Sequence, residues 1–111
     1  MTERNDDQLE RADEEAARAE YEGAVLRATG EVETALTAYR KSRERLAQLD
    51  AADRASAKAA ELARLRFTEG ASDFLQVLDA ERTLLEAQDR RAAGHADAAA
   101  KLVAVYRALG G

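Results

Sequence analysis

A single interruption in a helical pattern constrains this chain more than any other feature of its sequence. Residues 66–79 read Arg-Phe-Thr-Glu-Gly-Ala-Ser-Asp-Phe-Leu-Gln-Val-Leu-Asp, near the middle of 111 residues that include no proline. Gly70 is a good helix stop, and Ser72 and Asp73 are good helix starters. The break therefore divides the chain into two long helices that fold back on each other.

The composition favours long helices with a thin core between them. Alanine, glutamate, leucine and arginine dominate, charged residues make up 35% of the chain, and aromatic residues make up 5%. Such usage is typical of long helices and coiled coils. Because alanine buries little area, we expect a long helix–helix seam in place of a thick core. We predict an all-α, coiled-coil-like antiparallel hairpin forming a single domain over 1–111, with helix 1 at about 5–67, a turn at 68–72 and helix 2 at about 73–109.

Apolar residues at steps of three and four predict the face that each helix buries. The stripe of helix 1 comprises Tyr21, Val25, Ala28, Val32, Ala35, Leu36, Tyr39, Leu46, Leu49, Ala51, Ala52, Ala55, Ala59, Ala60, Leu62, Leu65 and Phe67. The stripe of helix 2 comprises Phe74, Val77, Leu78, Leu84, Leu85, Ala92, Ala96, Ala99, Leu102, Val103, Tyr106 and Leu109. The alanine run over 51–60 predicts a close crossing of the helices. Gly30 either admits a neighbouring helix or is simply tolerated.

The two helices differ in length, which leaves part of helix 1 without a partner. At 1.5 Å per residue, helix 1 reaches about 95 Å and helix 2 about 55 Å. Residues before about 30 then have nothing to pack against within the hairpin, and isolated helix is marginal in water. This predicts fraying, self-association or cover by a larger structure, and it allows disorder in residues 1–8.

The charge distribution argues against nucleic-acid binding. The net charge is −5, and residues 1–20 carry eight acidic residues against three arginines, so the remainder of the chain is balanced. Nucleic-acid binding needs a basic face, and the one basic cluster, within residues 40–45, is interpreted as a solvated helix face. We find no apolar signal-peptide core in residues 1–20 and no stretch of about 20 apolar residues, so we expect a soluble chain.

The sequence offers no catalytic or metal-binding constellation. His95 is the only histidine, and the chain has no cysteine, so no zinc site of the usual composition can be built. Carboxylate pairs such as Asp79 with Glu86 are to be expected in any helix this charged. We therefore predict no enzyme activity, no catalytic residues, no metal and no cofactor.

Three segments of the chain resemble one known family. The stretch from Leu62 to Gln88 carries an Arg-Phe pair, a glycine three residues after the aromatic ring, and a Val-Leu-Asp-Ala run. Residues 21–39, with Glu-Val-Glu-Thr-Ala-Leu at 31–36, and the closing Val-Tyr-Arg-Ala-Leu-Gly-Gly at 105–111 flank it in the same order. Together they resemble the second repeat of the TolC/OprM family, the outer-membrane channel components of tripartite efflux pumps. The resemblance covers about residues 9–111.

This resemblance implies an architecture and partners. In the family, three protomers form a β-barrel in the outer membrane of Gram-negative bacteria and a twelve-helix α-barrel through the periplasm. The present hairpin corresponds to one part of that α-barrel, and its bend to the periplasmic tip. The tip closes the channel and meets the periplasmic adaptor, the membrane fusion protein, which joins the channel to an inner-membrane pump.

The resemblance also implies roles for residues around the bend. Arg66, Phe67 and Asp79 match the basic, aromatic and acidic positions of the pore aperture. The adaptor-facing tip matches Thr68, Glu69, Gly70, Ala71 and Ser72. The family more often has tyrosine at the position of Phe67, some members have a basic residue at that of Ser72, and others have an acid at that of Gln76.

A trimer of this chain supplies six of the twelve helices, so we expect the chain to be part of a larger channel protein. The alternative is a stand-alone coiled-coil interaction module with no transport function. That alternative predicts that the sequence of the turn is replaceable.

Overall fold

Two helices make up the fold. The computed structural model describes residues 2–111, in which α1 spans Thr2–Thr68 and α2 spans Phe74–Ala108. The helices run antiparallel and form a rod of 103 × 17 × 14 Å. The predicted all-α hairpin is confirmed, with helix ends within a few residues of those expected. Of the residues for which disorder is predicted, Met1 lies outside the described residues, and residues 2–8 form the first turns of α1.

The seam between the helices follows a strict seven-residue repeat. The positions of the repeat follow one another at steps of three and four, and all but one of them are buried or half-buried. On α1 they are Val32, Ala35, Tyr39, Ser42, Leu46, Leu49, Asp53, Ser56, Ala60 and Ala63. On α2 they are Val77, Ala80, Leu84, Ala87, Gly94, Ala98, Lys101, Val105 and Ala108, with Arg91 completing the repeat at an exposed position. This repeat is typical of a left-handed coiled coil.

Small side chains, and not the large apolar ones, fill most of this seam. Ala60 is completely buried, and Ala87 and Ala98 are 7% exposed. The stripe predicted for α2 is wrong at most of its positions, because only Val77 and Leu84 lie in the seam and the others, including Leu78 and Leu85, face solvent. Within the predicted close crossing, only the residues at seam positions face α2, and these come every third or fourth residue. Most of the alanine run of α1 is therefore exposed. The exposed members of that run are Ala51, Ala52, Ala55 and Ala59.

Among the glycines of the two helices, Gly94 is the one that lies closest to the opposite helix. A Cβ atom at Gly94 would lie 2.6 Å from Leu49 Cδ1 and 3.4 Å from Leu46 Cδ1. Gly30, by contrast, has nothing within 4 Å of the equivalent point. Within the hairpin, Gly30 therefore admits no neighbouring helix. The glycine at which the other helix approaches closely is Gly94.

The amino-terminal part of α1 extends beyond α2. Over residues 2–31 every residue is exposed except the half-buried Gly23. Leu26 and Tyr21 are 73% and 71% exposed. Neither helix has a stretch, within residues 2–111, that is both apolar and long enough to cross a bilayer. The rod thus consists of a paired part, residues 32–108, and an unpaired part, residues 2–31.

Candidate functional site

The bend begins with a glycine motif that ends α1. The amide of Ala71 donates to the carbonyl of Arg66 at 2.8 Å, and the amide of Gly70 donates to that of Phe67 at 3.0 Å. These two bonds define a Schellman motif, whose central residue adopts a left-handed conformation. Gly70 has φ +77°, a region that other L-residues rarely adopt. The sequence prediction of Gly70 as the helix stop is confirmed.

Asp73 begins α2 by capping its first turn. Its backbone is extended, with φ −86° and ψ 167°, and its Oδ1 accepts a hydrogen bond from the amide of Gln76 at 3.2 Å. This is the N-cap geometry, which satisfies one of the amides that have no partner within the helix. The bend between the helices therefore occupies only residues 69–73.

Two phenylalanines contact each other across the bend. The ring centroids of Phe67 and Phe74 lie 5.3 Å apart with an angle of 56° between the ring planes. This separation is in the range that aromatic pairs prefer. The side chains are 45% and 53% exposed. Phe67, a predicted aperture residue, thus joins the last turn of α1 to the first turn of α2 and leaves about half of its ring open to solvent.

Arg66 and Asp79, the two charged residues predicted for the aperture, do not pair with each other within residues 2–111. Asp79 lies 3.9 Å from Arg82 on the same helix, and both side chains are mostly exposed. The side chain of Arg66 is exposed and joins no ion pair in the described part of the chain. Contacts this exposed and long contribute little to stability, so both charges remain accessible near the end of the rod.

The predicted adaptor-facing tip forms the end of the hairpin. Thr68, Glu69, Gly70 and Ala71 are exposed. Ser72 differs, since it is half-buried and its Oγ is shielded from solvent with no hydrogen-bond partner within residues 2–111. The end of the rod therefore presents the exposed residues 68–71 beside the exposed Arg66.

A polar cluster in the middle of the seam was not predicted from the sequence. Arg91 Nε lies 2.6 Å from Asp50 Oδ1, and Arg91 Nη1 lies 3.2 Å from Asp53 Oδ2. His95 Nε2 is 3.7 Å from the same oxygen of Asp50. The hydrogen bond and charge of Asp50, and then those of Asp53, raise the pKa of Arg91 above its ordinary value. The signal was present in the sequence, because Asp53 and Arg91 both occupy positions of the seven-residue repeat.

A second ion pair joins the helices nearer the bend, between Arg64 of α1 and Glu81 of α2. Glu81 follows the seam residue Ala80 and is half-buried beside the seam. Its side chains are 52% and 36% exposed, more than those of Asp50 and Asp53, so we expect it to contribute less than the Arg91 cluster to fixing the helices. Both ion-pair groups connect α1 to α2, so the charges along the seam align the two helices.

The end of the hairpin presents charged side chains and two partly exposed phenylalanine rings. The grooves beside the seam are open to solvent. Within residues 2–111, no three histidine, aspartate or glutamate side chains converge as a metal site requires. Such a surface is suited to contact with other helices.

Comparison with known proteins places the hairpin in a family. The sequence profile of the family described as "Outer membrane efflux protein" matches residues 3–111. The chain is 35% identical over 104 residues to the pyoverdine export outer membrane protein OpmQ of Pseudomonas putida, covering 94% of the chain and 22% of that protein. It is also similar to a solved structure of the outer-membrane channel OprN, with a TM-score of 0.70 and 44% identity.

The OprN match covers 91% of this chain and 23% of that channel. The chain therefore spans less than a quarter of the length of the relatives it matches. The sequence match extends across both helices and the bend that joins them. The chain belongs to the outer membrane efflux protein family.

Proposed function

We propose that this hairpin forms part of the periplasmic wall of an outer-membrane efflux channel, with its bend at the periplasmic tip. One observation carries the proposal: 91% of the chain matches the OprN channel structure at 44% identity. The parent protein then lies in the outer membrane and periplasm and acts as a passive conduit, with no catalytic step. OpmQ exports pyoverdine by its name, which makes small molecules the substrate class to test first.

The outer surface of α2 supports a wall of several hairpins. Leu78, Leu85 and Tyr106 lie at multiples of seven residues from one another on a face away from α1, and they are 51%, 60% and 62% exposed. A contiguous exposed apolar stripe of this kind marks an interaction surface. In the proposed channel, a homotrimer, neighbouring helices cover this face, and the unpaired part of α1 is covered by other parts of the same assembly.

The aperture role of Arg66, Phe67 and Asp79 rests on accessible charge. Arg66 and the mostly exposed Asp79 do not pair with each other within the hairpin, so each can bind a partner on an adjacent hairpin. Ion pairs between neighbouring tips would hold the channel closed, and their loss would loosen the closure. Phe67 narrows the opening while its contact with Phe74 fixes the ring.

The tip, residues 68–72, meets the adaptor in this proposal, and the adaptor connects the channel to the inner-membrane pump. The exposed surface of Thr68–Ala71 and the short bend support this role. A stand-alone coiled-coil module would also use the seam, but it would place no demand on the tip sequence beyond Gly70 and Asp73.

The test is a graft of this hairpin into the OprN channel in place of its matching segment. Asp79→Arg and Arg66→Glu are compared with Asp89→Arg, an exposed charge reversal farther from the bend. We expect both aperture variants to raise single-channel conductance in planar bilayers and the control to leave it unchanged. Unchanged conductance in both aperture variants would overturn their assignment to the aperture.

A separate graft tests the tip. Replacing residues 68, 69, 71 and 72 with serine or alanine keeps Gly70 and Asp73, and hence the turn. We expect the grafted channel to insert normally but to lose drug export in cells that contain its adaptor and pump. Normal export would favour the interaction-module alternative for this hairpin.

A further inference from the structure

A layer of paired charges crosses the seam at one level. Asp53 on α1 and Arg91 on α2 both occupy seam positions, and Asp53 is only 16% exposed at its side chain. Arg91 also binds Asp50, which lies beside the seam. The layer joins the two helices through two hydrogen bonds, at 2.6 and 3.2 Å.

The rest of the seam does little to fix how far α2 slides along α1. Because the repeat is seven residues, a shift of α2 by seven residues again presents seam positions to seam positions. Alanines such as Ala60, Ala63, Ala80 and Ala87 are interchangeable in such a shift. Beyond the short bend at residues 69–73, the lengthwise alignment must therefore be fixed at positions where the two helices are not uniform.

The Arg91 layer and the adjacent Gly94 are such positions. In a shifted pairing, Asp53 would face an apolar seam residue and lose its partner, which is costly for a mostly buried carboxylate. In the shift that brings each α2 residue seven positions later opposite α1, Leu49 would meet Lys101 where Gly94 now leaves room. Both features penalise the same displacement at the same level of the rod.

We propose that Arg91, through Asp50 and Asp53, fixes the lengthwise alignment of α2 on α1 and excludes a one-repeat slip. A single polar residue at a seam position is an established way of specifying alignment in coiled coils. This role is independent of the proposed channel function, since it concerns the hairpin alone. It makes Arg91 a positioning residue that sets where the end of α2 stands relative to the end of α1.

Disulfide trapping in the purified chain tests the proposal, because the protein has no cysteine of its own. The native alignment is reported by Ala63→Cys with Ala80→Cys, two seam positions that face each other in the same register as Leu49 and Gly94. The slipped alignment is reported by Ala63→Cys with Ala87→Cys, and both pairs leave the Arg64–Glu81 ion pair in place. Seven residues of helix span about 10 Å, and a disulfide requires Cα atoms within about 7 Å, so each pair reports one alignment.

We expect the Ala63→Cys, Ala87→Cys pair to give almost no disulfide when Arg91 is present. In Arg91→Ala its yield should rise by roughly fivefold, the scale of a hydrogen-bonded charge pair at a half-exposed site. Arg90→Ala, a neighbouring exposed arginine with no ion pair among residues 2–111, should give no rise. Arg91→Lys, which keeps the charge, should retain most of the native alignment and give little of the slipped disulfide.

Asp53→Asn provides a second variant, which keeps the size of the side chain and removes its charge. It should increase the slipped disulfide in the same direction as Arg91→Ala, with helicity unchanged by circular dichroism. The proposal is overturned if neither variant increases the slipped disulfide. It is equally overturned if Arg90→Ala increases that disulfide as much as Arg91→Ala does, since this would indicate general loosening.

Discussion

The paired and unpaired parts of α1 have the same backbone structure but different surroundings. Residues 32–63 bury Ser42, Leu46 and Ala60 against α2, whereas residues 2–31 bury no side chain. Both parts are helical throughout. Helical propensity alone gives marginal stability in water, so the comparison shows that the stability of this hairpin lies in the seam and not in its helical sequence.

The largest test of this comparison is truncation of a leucine in each part. Leu46→Ala should lower the free energy of unfolding by about 2 kcal/mol, at the lower end for buried leucines because the seam is thin. Leu26→Ala, at a side chain that is 73% exposed, should change it by less than about 0.5 kcal/mol. Urea unfolding followed by circular dichroism measures both, and equal losses would mean that the two parts do not differ.

Enlarging a seam alanine should destabilise the paired part by overpacking, whereas truncating a leucine destabilises it by leaving a cavity. Ala60 is fully buried, so Ala60→Leu should force the helices apart and lower the free energy of unfolding by about 1.5 kcal/mol. The matched control is Ala59→Leu, one residue earlier and exposed. The same urea titration should find the control unchanged, and a tolerated leucine at position 60 would contradict close packing of the seam.

The paired part also depends on the correct start of α2. Asp73→Ala removes the acceptor for the amide of Gln76, and we expect a loss of about 1 kcal/mol in the free energy of unfolding. Asp89→Ala, an exposed aspartate in the interior of α2, serves as the control and should cause no loss. A comparable loss in both variants would assign the effect to charge and not to capping.

The smallest predicted difference compares two glycines. Gly30→Ala should increase helix stability by about 0.5–1 kcal/mol, because no atom lies within 4 Å of the added Cβ. Gly94→Ala should give no gain, since its Cβ would lie 2.6 Å from Leu49 Cδ1. Thermal unfolding followed at 222 nm compares them, and an equal gain at Gly94 would show that Leu49 moves away without cost.

The fold was predictable because its signals are local. Gly70 and Asp73 act within a few residues of themselves, and each makes the backbone contacts that its residue type favours. The seam was predicted less well. The exposed leucines of α2, such as Leu78 and Leu85, drew the predicted stripe toward a face that this hairpin leaves uncovered. Large apolar side chains indicate faces that are buried somewhere in an assembly. The face that is buried within this hairpin is indicated by small residues that let the helices pack closely.

The same limit applies to the candidate site. Arg66 and Asp79 were predicted from the family resemblance, and both are accessible in the structure. Within residues 2–111 they do not contact each other, so their aperture role depends on neighbouring hairpins. The Arg91 cluster was missed because charged residues on a helix are usually solvated. Recognising it requires the phase of the seven-residue repeat, which the small side chains of the seam conceal.

The small side chains of the seam also determine how wide the hairpin is. Packed helices lie about 8–10 Å apart, depending on the side chains between them, and alanine and glycine favour the lower value. In a closed wall of such hairpins, each seam of this kind would shorten the perimeter by up to about 2 Å compared with a leucine seam. Gly94 and Ala60 would then influence the bore of a channel without lining it.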